Sequence, residues 1–295
     1  MNLPAVFVRA GAAWNGRASA LRKYIPEVES GGLSVVGPVR EDNQDSIHLS
    51  DTEHPVGSGL LYAVADGMGG YSHGGVASLL ALETFTNTLS VMNGNPVPKA
   101  MQRGVETANL KVFQKAQSLG AGRMGTTLTA AFLLDDRLYV AHVGDSRAYL
   151  IRDGRATCLT ADHTAVGDMV RAKILSPEKI RTHAQRSVLN KAVGIGLFVQ
   201  PDITQHRLEE DDRLVLCSDG VWSVIQDDDF ARVARERVPV DLISRNLIDL
   251  AIQNETDDNA SVVVLHLKKL VPAEAERGSH HENSNWFQRL RKMAP

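Results

Sequence analysis

From residue 33 onward, short apolar runs rich in β-branched and aromatic residues alternate with turn residues, as in β-strands. Tight turns at Asp135–Asp136 and Asp153–Gly154 join neighbouring runs, and strands joined in this way are antiparallel. The chain therefore predicts antiparallel sheets. The predicted strands are L-S-V-V, S-I-H-L, L-L-Y-A-V-A, T-L-T-A-A-F-L-L, R-L-Y-V-A-H-V, A-Y-L-I, A-T-C-L (156–159), R-L-V-L-C-S (213–218) and A-S-V-V-V-L-H-L (260–267).

Other segments indicate helices. Residues 74–92 and 97–119 have apolar residues at helical spacing and are predicted as two helices broken at 93–98. Two more helices are predicted near 227–237 and 239–254. The apolar positions that give the first pair its spacing are Val76, Leu79, Leu80, Leu82, Phe85, Met101, Val105, Ala108 and Val112.

The chain divides into one domain with two ends. We expect the domain at 33–267, with a polar insertion at 164–195, an N-terminal extension at 1–32 and a C-terminal tail at 268–295. The extension is basic near its start, so a transit peptide is an alternative reading of it. The tail has apolar residues near helical spacing with basic residues between them. This pattern fits an amphipathic helix that binds a partner or a membrane surface. A mobile end and a helix docked on its own domain are the alternatives. Its apolar positions are Trp286, Phe287, Leu290 and Met293.

Composition narrows the class of protein. The chain has 295 residues, with 32 Lys and Arg against 35 Asp and Glu and a formal net charge of −3, which argues against a general nucleic-acid binder. Cys158 and Cys217 supply neither a disulfide framework nor a zinc site. No apolar run approaches the roughly 20 residues that cross a bilayer. We therefore expect a cytoplasmic monomer that neither inserts into membranes nor binds nucleic acid.

Five aspartates stand beside apolar strands rather than among other charges. Asp66, Asp145 and Asp219 follow strands, whereas Asp45 and Asp258 precede them. In antiparallel sheets one strand ends beside the beginning of its neighbour, so the five carboxylates could gather on one edge. A single Asp-Gly pair is commonly only a turn former, so the argument depends on the whole set.

Clustered carboxylates without His or Cys favour a hard divalent cation such as Mg²⁺ or Mn²⁺. The glycines after Asp66 let the backbone turn and bring a carbonyl toward such an ion. Arg40, five residues before Asp45, can fork to two oxyanions, which implies an anionic substrate. A surface ion pair with Glu41 or Asp42 is the alternative for Arg40.

These residues stand in motifs that resemble those of the metal-dependent serine/threonine protein phosphatases of the PP2C type, also called PPM. One such motif would be weak, but six in the family's order are specific. The resemblance covers residues 33–267. The motifs are R-E-D-N-Q-D (40–45), V-A-D-G-M-G-G (64–70), G-T-T (125–127), V-G-D-S-R (143–147), C-S-D-G (217–220) and D-D-N-A-S (257–261).

The resemblance implies an α+β fold, a four-layer α-β-β-α sandwich of two antiparallel sheets flanked by helix pairs. It also implies hydrolysis of phosphoserine and phosphothreonine on proteins, with two Mn²⁺ or Mg²⁺ ions per active site and a third in bacterial relatives. A hydroxide bridging two ions would attack phosphorus in line, without a phosphoenzyme. Because bacterial relatives often oppose Hanks-type kinases, the implied partners are phosphorylated proteins and a cognate Ser/Thr kinase.

The resemblance also assigns the ligands of the two metal ions. Asp66 would bridge both ions, and Gly67 would offer its carbonyl to one of them. Asp219 and Asp258 would complete the protein ligands of the other.

Three further residues receive roles from the same motifs. Asp45 would hold metal-bound waters, and Asp145 would help to form the third metal site. Arg40 would grip the phosphate, so that Arg40 and Asp66 are the expected catalytic residues.

Two positions depart from the family pattern. Met68 stands where eukaryotic members usually have a histidine proposed as general acid, so the proton for the leaving group must come from elsewhere. Gln44 stands where many members have Glu, and it keeps the hydrogen-bonding oxygen but loses the charge.

Three other features invite a chemical role. His163 is either an acid–base group or, as the sequence favours, a histidine that fixes the start of the insertion through hydrogen bonds. Cys217, inside an apolar strand, is expected to be a buried small hydrophobe. Basic residues of the insertion could contact a phosphoprotein or simply form a solvated face. They are Arg171, Lys173, Lys179, Arg181 and Arg186.

Two other functions are compatible with clustered carboxylates. A catalytically inactive relative could bind phosphoproteins without hydrolysis, although the retained Asp66, Asp219 and Asp258 argue against this. Structural calcium sites are the other alternative, but the carboxylates do not form a contiguous calcium loop.

Overall fold

The computed structural model describes residues 23–50, 54–69, 73–91 and 94–273. Within these ranges eleven strands and six α-helices form the fold. The strands are β1 (Tyr24–Val35), β2 (Asp45–Leu49), β3 (Leu60–Gly69), β4 (Met124–Thr126), β5 (Leu128–Leu134), β6 (Arg137–Val143), β7 (Arg147–Arg152), β8 (Arg155–Cys158), β9 (Asp202–Arg207), β10 (Arg213–Cys217) and β11 (Ala260–Pro272). The helices are α1 (His73–Val91), α2 (Val97–Leu119), α3 (Ala165–Arg171), α4 (Asp219–Trp222), α5 (Asp227–Ala234) and α6 (Val240–Gln253), with a 3₁₀ turn at Pro177–Lys179.

Two antiparallel sheets form the centre of the fold. One has the strand order β1-β11-β10-β7-β8, and the other has the order β2-β3-β5-β6-β9, with β4 paired to β3. All of these pairings are antiparallel, as the tight turns between the apolar runs predict.

Successive side chains of β3 point to opposite faces of its sheet and pack into two different hydrophobic cores. Leu60, Tyr62 and Val64 point into the core between the two sheets, where they meet residues of β10 and β11. Leu61, Ala63 and Ala65 point the other way, into the core under α1 and α2. A third core lies between the other sheet and α4, α5 and α6. The four-layer α-β-β-α sandwich predicted from the sequence is therefore confirmed.

The buried face of α1 differs from the apolar positions that indicated this helix. Val76 and Leu79 are 40% and 53% exposed, whereas Ala77 and Ala81 are fully buried. The inner face combines these small side chains, which let the helix lie close to the sheet, with Leu82 and Phe85, so only some of the apolar positions mark it.

The short β4 was not predicted, and neither were β9 and the first part of β1, which lie at sheet edges. The residues of β9 are mostly polar, and the part of β1 before Leu33 contains Glu27, Glu29 and two glycines. An edge strand has one free side and needs no continuous apolar pattern. Since β1 and β11 pair from Tyr24↔Pro272 to Val35↔Ala260, the sheet extends beyond the expected boundaries at residues 32 and 267. The division of the whole chain into domain and ends stays a prediction.

The insertion at 164–195 contains α3, the 3₁₀ turn and irregular turns. The basic start of the N-terminal extension and the apolar pattern of the tail lie outside the described residues. Across the described ranges, no helix combines the length and the hydropathy that a bilayer span requires.

Candidate active site

The strand register brings the predicted aspartates to one edge of the sandwich. Asp45 at the start of β2 lies directly opposite Asp66 on β3. In the other sheet, β10 ends at Cys217 just before Asp219, and Asp258 comes just before β11, which pairs with β10 there. Both sheets therefore contribute carboxylates to the same edge.

A pocket with a volume of about 860 Å³ opens at this edge. Asp45 does not line it but lies behind the pocket wall, almost fully buried. The residues with predicted roles that line the pocket are Arg40, Gln44, Asp66, Gly67, Met68, Asp145, Asp219 and Asp258.

The protein surrounding these carboxylates opposes their ionisation. Desolvation, with the neighbouring carboxylates adding to it, raises the pKa of Asp45 to about 7 and that of Asp219 to about 6. The same causes raise the pKa of Asp66 and of Asp145 well above the ordinary value. Oδ1 of Asp45 and Oδ1 of Asp219 are buried with no hydrogen-bond partner among the described residues. Ionised carboxylates at this edge are therefore unfavourable unless positive charge compensates them.

The two threonines of the G-T-T motif fix the backbone of Asp66. The amide of Asp66 donates to Thr127 Oγ1 at 2.9 Å, and its carbonyl accepts from Thr126 Oγ1 at 2.8 Å and from the Thr127 amide at 2.8 Å. Thr127 Oγ1 also lies 2.7 Å from Ser146 Oγ, beside Asp145. These contacts set the position from which the Asp66 side chain enters the pocket.

Asp45 is held by two serines from the other sheet. Ser218 and Ser261 donate to Asp45 Oδ2 at 2.8 and 2.6 Å. Both serines flank predicted metal ligands in the sequence, yet nothing in the sequence indicated that they contact Asp45. Because they occupy only one carboxylate oxygen, Oδ1 is left for another partner.

Asn259 joins the R-E-D-N-Q-D loop to the start of β11. Its Oδ1 accepts from the amide of Gln44 at 2.9 Å, and its Nδ2 donates to the carbonyls of Val36 and Asp42 at 2.6 and 2.9 Å. The sequence motif contains this asparagine, but its structural role appears only in the fold.

Gly67 can only be glycine because the chain packs against it. A Cβ atom there would lie 2.1 Å from the carbonyl oxygen of Gly74 and 2.5 Å from that of Gln44. The Gly67 amide donates to the same Gln44 carbonyl. Close packing thus brings the start of α1 and the loop before β2 against the last residues of β3, where the sequence suggested a backbone turn after Asp66.

The loop carrying Asp145 is fixed from two sides. The indole nitrogen of Trp222 donates to the Asp145 carbonyl at 2.8 Å. The Gly144 amide donates to His163 Nδ1 at 3.0 Å, and the ring of His163 stacks on His142. His163 Nε2 lies 3.1 Å from Asp202 Oδ2. These contacts favour the reading of His163 as a residue that fixes the insertion rather than an acid–base group.

Arg40 lies at the pocket mouth with 54% of its side chain exposed. It donates to Asp258 Oδ2 at 2.7 Å, so its partner is neither of the sequence neighbours considered as alternatives. Within the insertion, Arg181 binds Asp227 and the Trp222 carbonyl, and Arg171 pairs with Asp168.

The donor atoms at this edge suit a hard divalent cation. Across the described ranges, no three carboxylate, imidazole or thiol side chains already converge in a metal-binding arrangement. Mutual repulsion opposes closer approach of the carboxylates unless a cation neutralises them. The donors are nevertheless all oxygen, and the buried Oδ1 atoms of Asp45 and Asp219 have no partner among the described residues. These features fit Mg²⁺ or Mn²⁺.

Comparison with known proteins agrees with this chemistry. Residues 39–242 match the family Protein phosphatase 2C. The serine/threonine protein phosphatase PstP of Mycobacterium tuberculosis is 34% identical over 229 residues, which span 77% of this chain and 43% of that longer protein. Protein phosphatase PhpP of Streptococcus pneumoniae is 30% identical over 241 residues, which span 80% of this chain and 96% of PhpP.

The structural comparison agrees as well. A crystal structure of the catalytic domain of PstP in complex with two manganese ions superposes with a TM-score of 0.72 at 30% identity, covering 82% of this chain and 99% of that domain. The chain therefore belongs to the protein phosphatase 2C family, as its six motifs predict.

Proposed function

We propose that this protein phosphatase 2C enzyme removes phosphate from phosphoserine and phosphothreonine residues of proteins, using Mn²⁺ or Mg²⁺. The observation that carries the proposal is that four of the five predicted aspartates line one pocket whose mouth holds Arg40. The relatives PstP and PhpP are phosphatases, which supports an active enzyme over an inactive phosphoprotein-binding module.

The acidic edge would hold two metal ions, and a third near Asp145. When bound, the ions lower the pKa of a water molecule that becomes the nucleophile, and they neutralise charge on the phosphate. The unpartnered buried oxygens of Asp45 and Asp219 support this use of the site. The groups that would hold the two ions are the side chains of Asp66, Asp219 and Asp258, the Gly67 carbonyl and, through waters, Asp45.

The chain itself supplies phosphate binding and a fixed geometry. The guanidinium of Arg40 already donates to a carboxylate at the pocket mouth, and phosphate offers the same kind of acceptor. Thr126 and Thr127 hold the Asp66 backbone, so little reorganisation is needed when substrate binds. Met68 lines the pocket but cannot donate a proton, so water or another side chain must protonate the leaving alkoxide.

We also propose the cellular setting. The enzyme acts as a monomer in the cytoplasm and reverses the work of a Hanks-type Ser/Thr kinase. Light scattering of the full chain checks the monomer, and dephosphorylation of a kinase autophosphorylated on threonine checks the partner class.

The central test measures hydrolysis of p-nitrophenyl phosphate and of a phosphothreonine peptide. We expect turnover with Mn²⁺, loss of turnover after exhaustive chelation with EDTA and recovery when Mn²⁺ is returned. Full activity of a chelated preparation with no metal by elemental analysis would contradict metal dependence. Binding of the peptide without hydrolysis, at any Mn²⁺ concentration, would favour the inactive module.

A further inference from the structure

Three apolar side chains next to the pocket face solvent, and we call Ile195, Leu197 and Phe198 the apolar ledge. Phe198 is 89% exposed, Leu197 is 52% exposed and Ile195 is 46% exposed. Single exposed apolar residues are common on protein surfaces, but a contiguous group usually marks an interaction site.

The ledge is a fixed structure. Asn109 on α2 is 1% exposed, and its Oδ1 accepts from the Gly194 amide at 2.8 Å. Its Nδ2 donates to the carbonyls of Gly196 and Leu197 at 2.9 and 3.2 Å. Gly194 has a φ of +90°, and a Cβ atom there would lie 2.2 Å from Val112 Cγ1. A buried side chain and a close backbone contact therefore hold the loop with its apolar side chains outward.

The ledge adjoins the wall of the active-site pocket. Met68, which lines the pocket, pairs with Gly125 on β4, and a Cβ atom at Gly125 would lie 2.8 Å from Ile195 Cδ1. The neighbouring Thr126 pairs with Val193. Two strand spacings of about 4.8 Å each separate Met68 from Val193, two residues before Ile195, so an extended peptide crosses this distance in about three residues.

The size of the ledge indicates what binds it. An exposed aromatic side chain offers at most about 250 Å², and the other two side chains are about half exposed. The ledge therefore falls well short of the roughly 800 Å² that each partner buries in a stable interface. A stable dimer of this chain would have to bury more surface than the ledge offers. A single side chain of a peptide that is already bound in the pocket needs no more than the ledge.

We infer that the apolar ledge binds an apolar side chain of the phosphoprotein substrate, two to four residues from the phosphorylated residue. This inference rests on the proposed phosphatase function and adds a preference in substrate sequence to it. The metal site and Arg40 recognise phosphate alone, and the ledge distinguishes one phosphoprotein from another.

The test moves one leucine through positions −4 to +4 of an otherwise alanine- and serine-based phosphothreonine peptide. With Mn²⁺ and the full chain, we expect leucine at one or two positions to raise kcat/KM about three- to tenfold. The variant L197S/F198S should lose this preference and keep wild-type hydrolysis of p-nitrophenyl phosphate. Leu242→Ser on α6 is the matched control, because Leu242 is 45% exposed on the helix layer of the other sheet.

Several outcomes would overturn the inference. A flat leucine profile in the wild type, or the same profile in L197S/F198S, excludes the ledge as a substrate site. A wild-type dimer by light scattering that L197S/F198S dissociates identifies a second copy as the occupant. If the wild type hydrolyses neither substrate, the proposed function fails. Binding of the labelled peptides, measured by fluorescence anisotropy, then tests separately whether the ledge prefers leucine.

Discussion

The two ends of β10 carry buried aspartates with opposite surroundings. Asp212 precedes the strand, and both of its carboxylate oxygens accept from the guanidinium of Arg152. Asp219 follows the strand, and its Oδ1 has no hydrogen-bond partner among the described residues. Burial is thus shared by both ends, whereas among the described residues a guanidinium hydrogen-bonds the aspartate at the Asp212 end only.

Asp162 strengthens the comparison because it lies close to the pocket. It is 5% exposed, and Arg147 donates to both of its oxygens at 2.9 and 2.7 Å. A forked guanidinium satisfies a carboxylate and leaves no lone pair directed at a metal. Buried carboxylates paired in this way are structural. Those that lack such a partner depend on a cation from outside the chain.

The largest expected effect comes from removing one carboxylate that lines the pocket. Asp66→Asn or Asp219→Asn should lower kcat/KM for a phosphothreonine peptide by at least about 10²-fold, because each change removes a proposed ligand of the ions that generate the nucleophile. Steady-state kinetics with Mn²⁺, together with circular dichroism to confirm folding, measures this.

Asp212→Asn is the matched control from the other end of β10. It should lower the free energy of unfolding by about 2 kcal/mol, since it weakens the pair with Arg152, and leave turnover of the folded enzyme near normal. If Asp212→Asn abolishes turnover while Asp219→Asn preserves it, the distinction between the two ends is wrong.

Removing the mouth arginine should have the next largest effect. Arg40→Ala should lower kcat/KM by about 10- to 100-fold, because a charged hydrogen-bonding partner of the phosphate is lost. Mn²⁺ affinity, measured by calorimetry, should change little. Arg207→Ala is the control, since Arg207 is an exposed arginine that pairs with Asp136 far from the pocket. Equal kinetics in both variants would remove Arg40 from phosphate binding.

The unpaired carboxylates should also set the pH dependence of stability in the metal-free protein. Burial raises the pKa of Asp45 to about 7, above its ordinary value, so the folded state holds a proton that the unfolded state has lost. This contribution to stability is complete at low pH and is lost as pH rises through about 7. We therefore expect Tm in EDTA to fall between about pH 4 and pH 7.

Two additions sharpen this measurement. Asp45→Asn should flatten the pH dependence, because an amide does not titrate, and Mn²⁺ should raise Tm most at the higher pH. A metal-free Tm that rises steadily over the same range would show that these carboxylates are not destabilised by burial.

The sequence located the acidic edge but not the contacts that hold it. The aspartates stand out because each adjoins an apolar strand and a small residue, which is local information. Thr127 contacts Asp66 across 61 residues, and Ser261 contacts Asp45 across 216 residues. Such partners become neighbours only through the register of the two sheets. The polar edge strands were missed for a related reason, since pairing on one side stabilises them without an apolar pattern.

The smallest expected effect concerns Met68, which lines the same pocket as the aspartates that lack a guanidinium partner. A thioether can neither bind phosphate nor donate a proton, so Met68→Leu should leave phosphopeptide turnover within about threefold, as volume-conserving apolar changes usually do. Met68→His places a titratable group there and should help alkyl phosphates more than p-nitrophenyl phosphate, whose leaving group needs little protonation. Both substrates are compared over a pH series. A large loss of turnover in Met68→Leu that is confined to the alkyl phosphate would mean that Met68 contributes to departure of the leaving group. The acidic edge and Arg40 would then not account for the whole reaction.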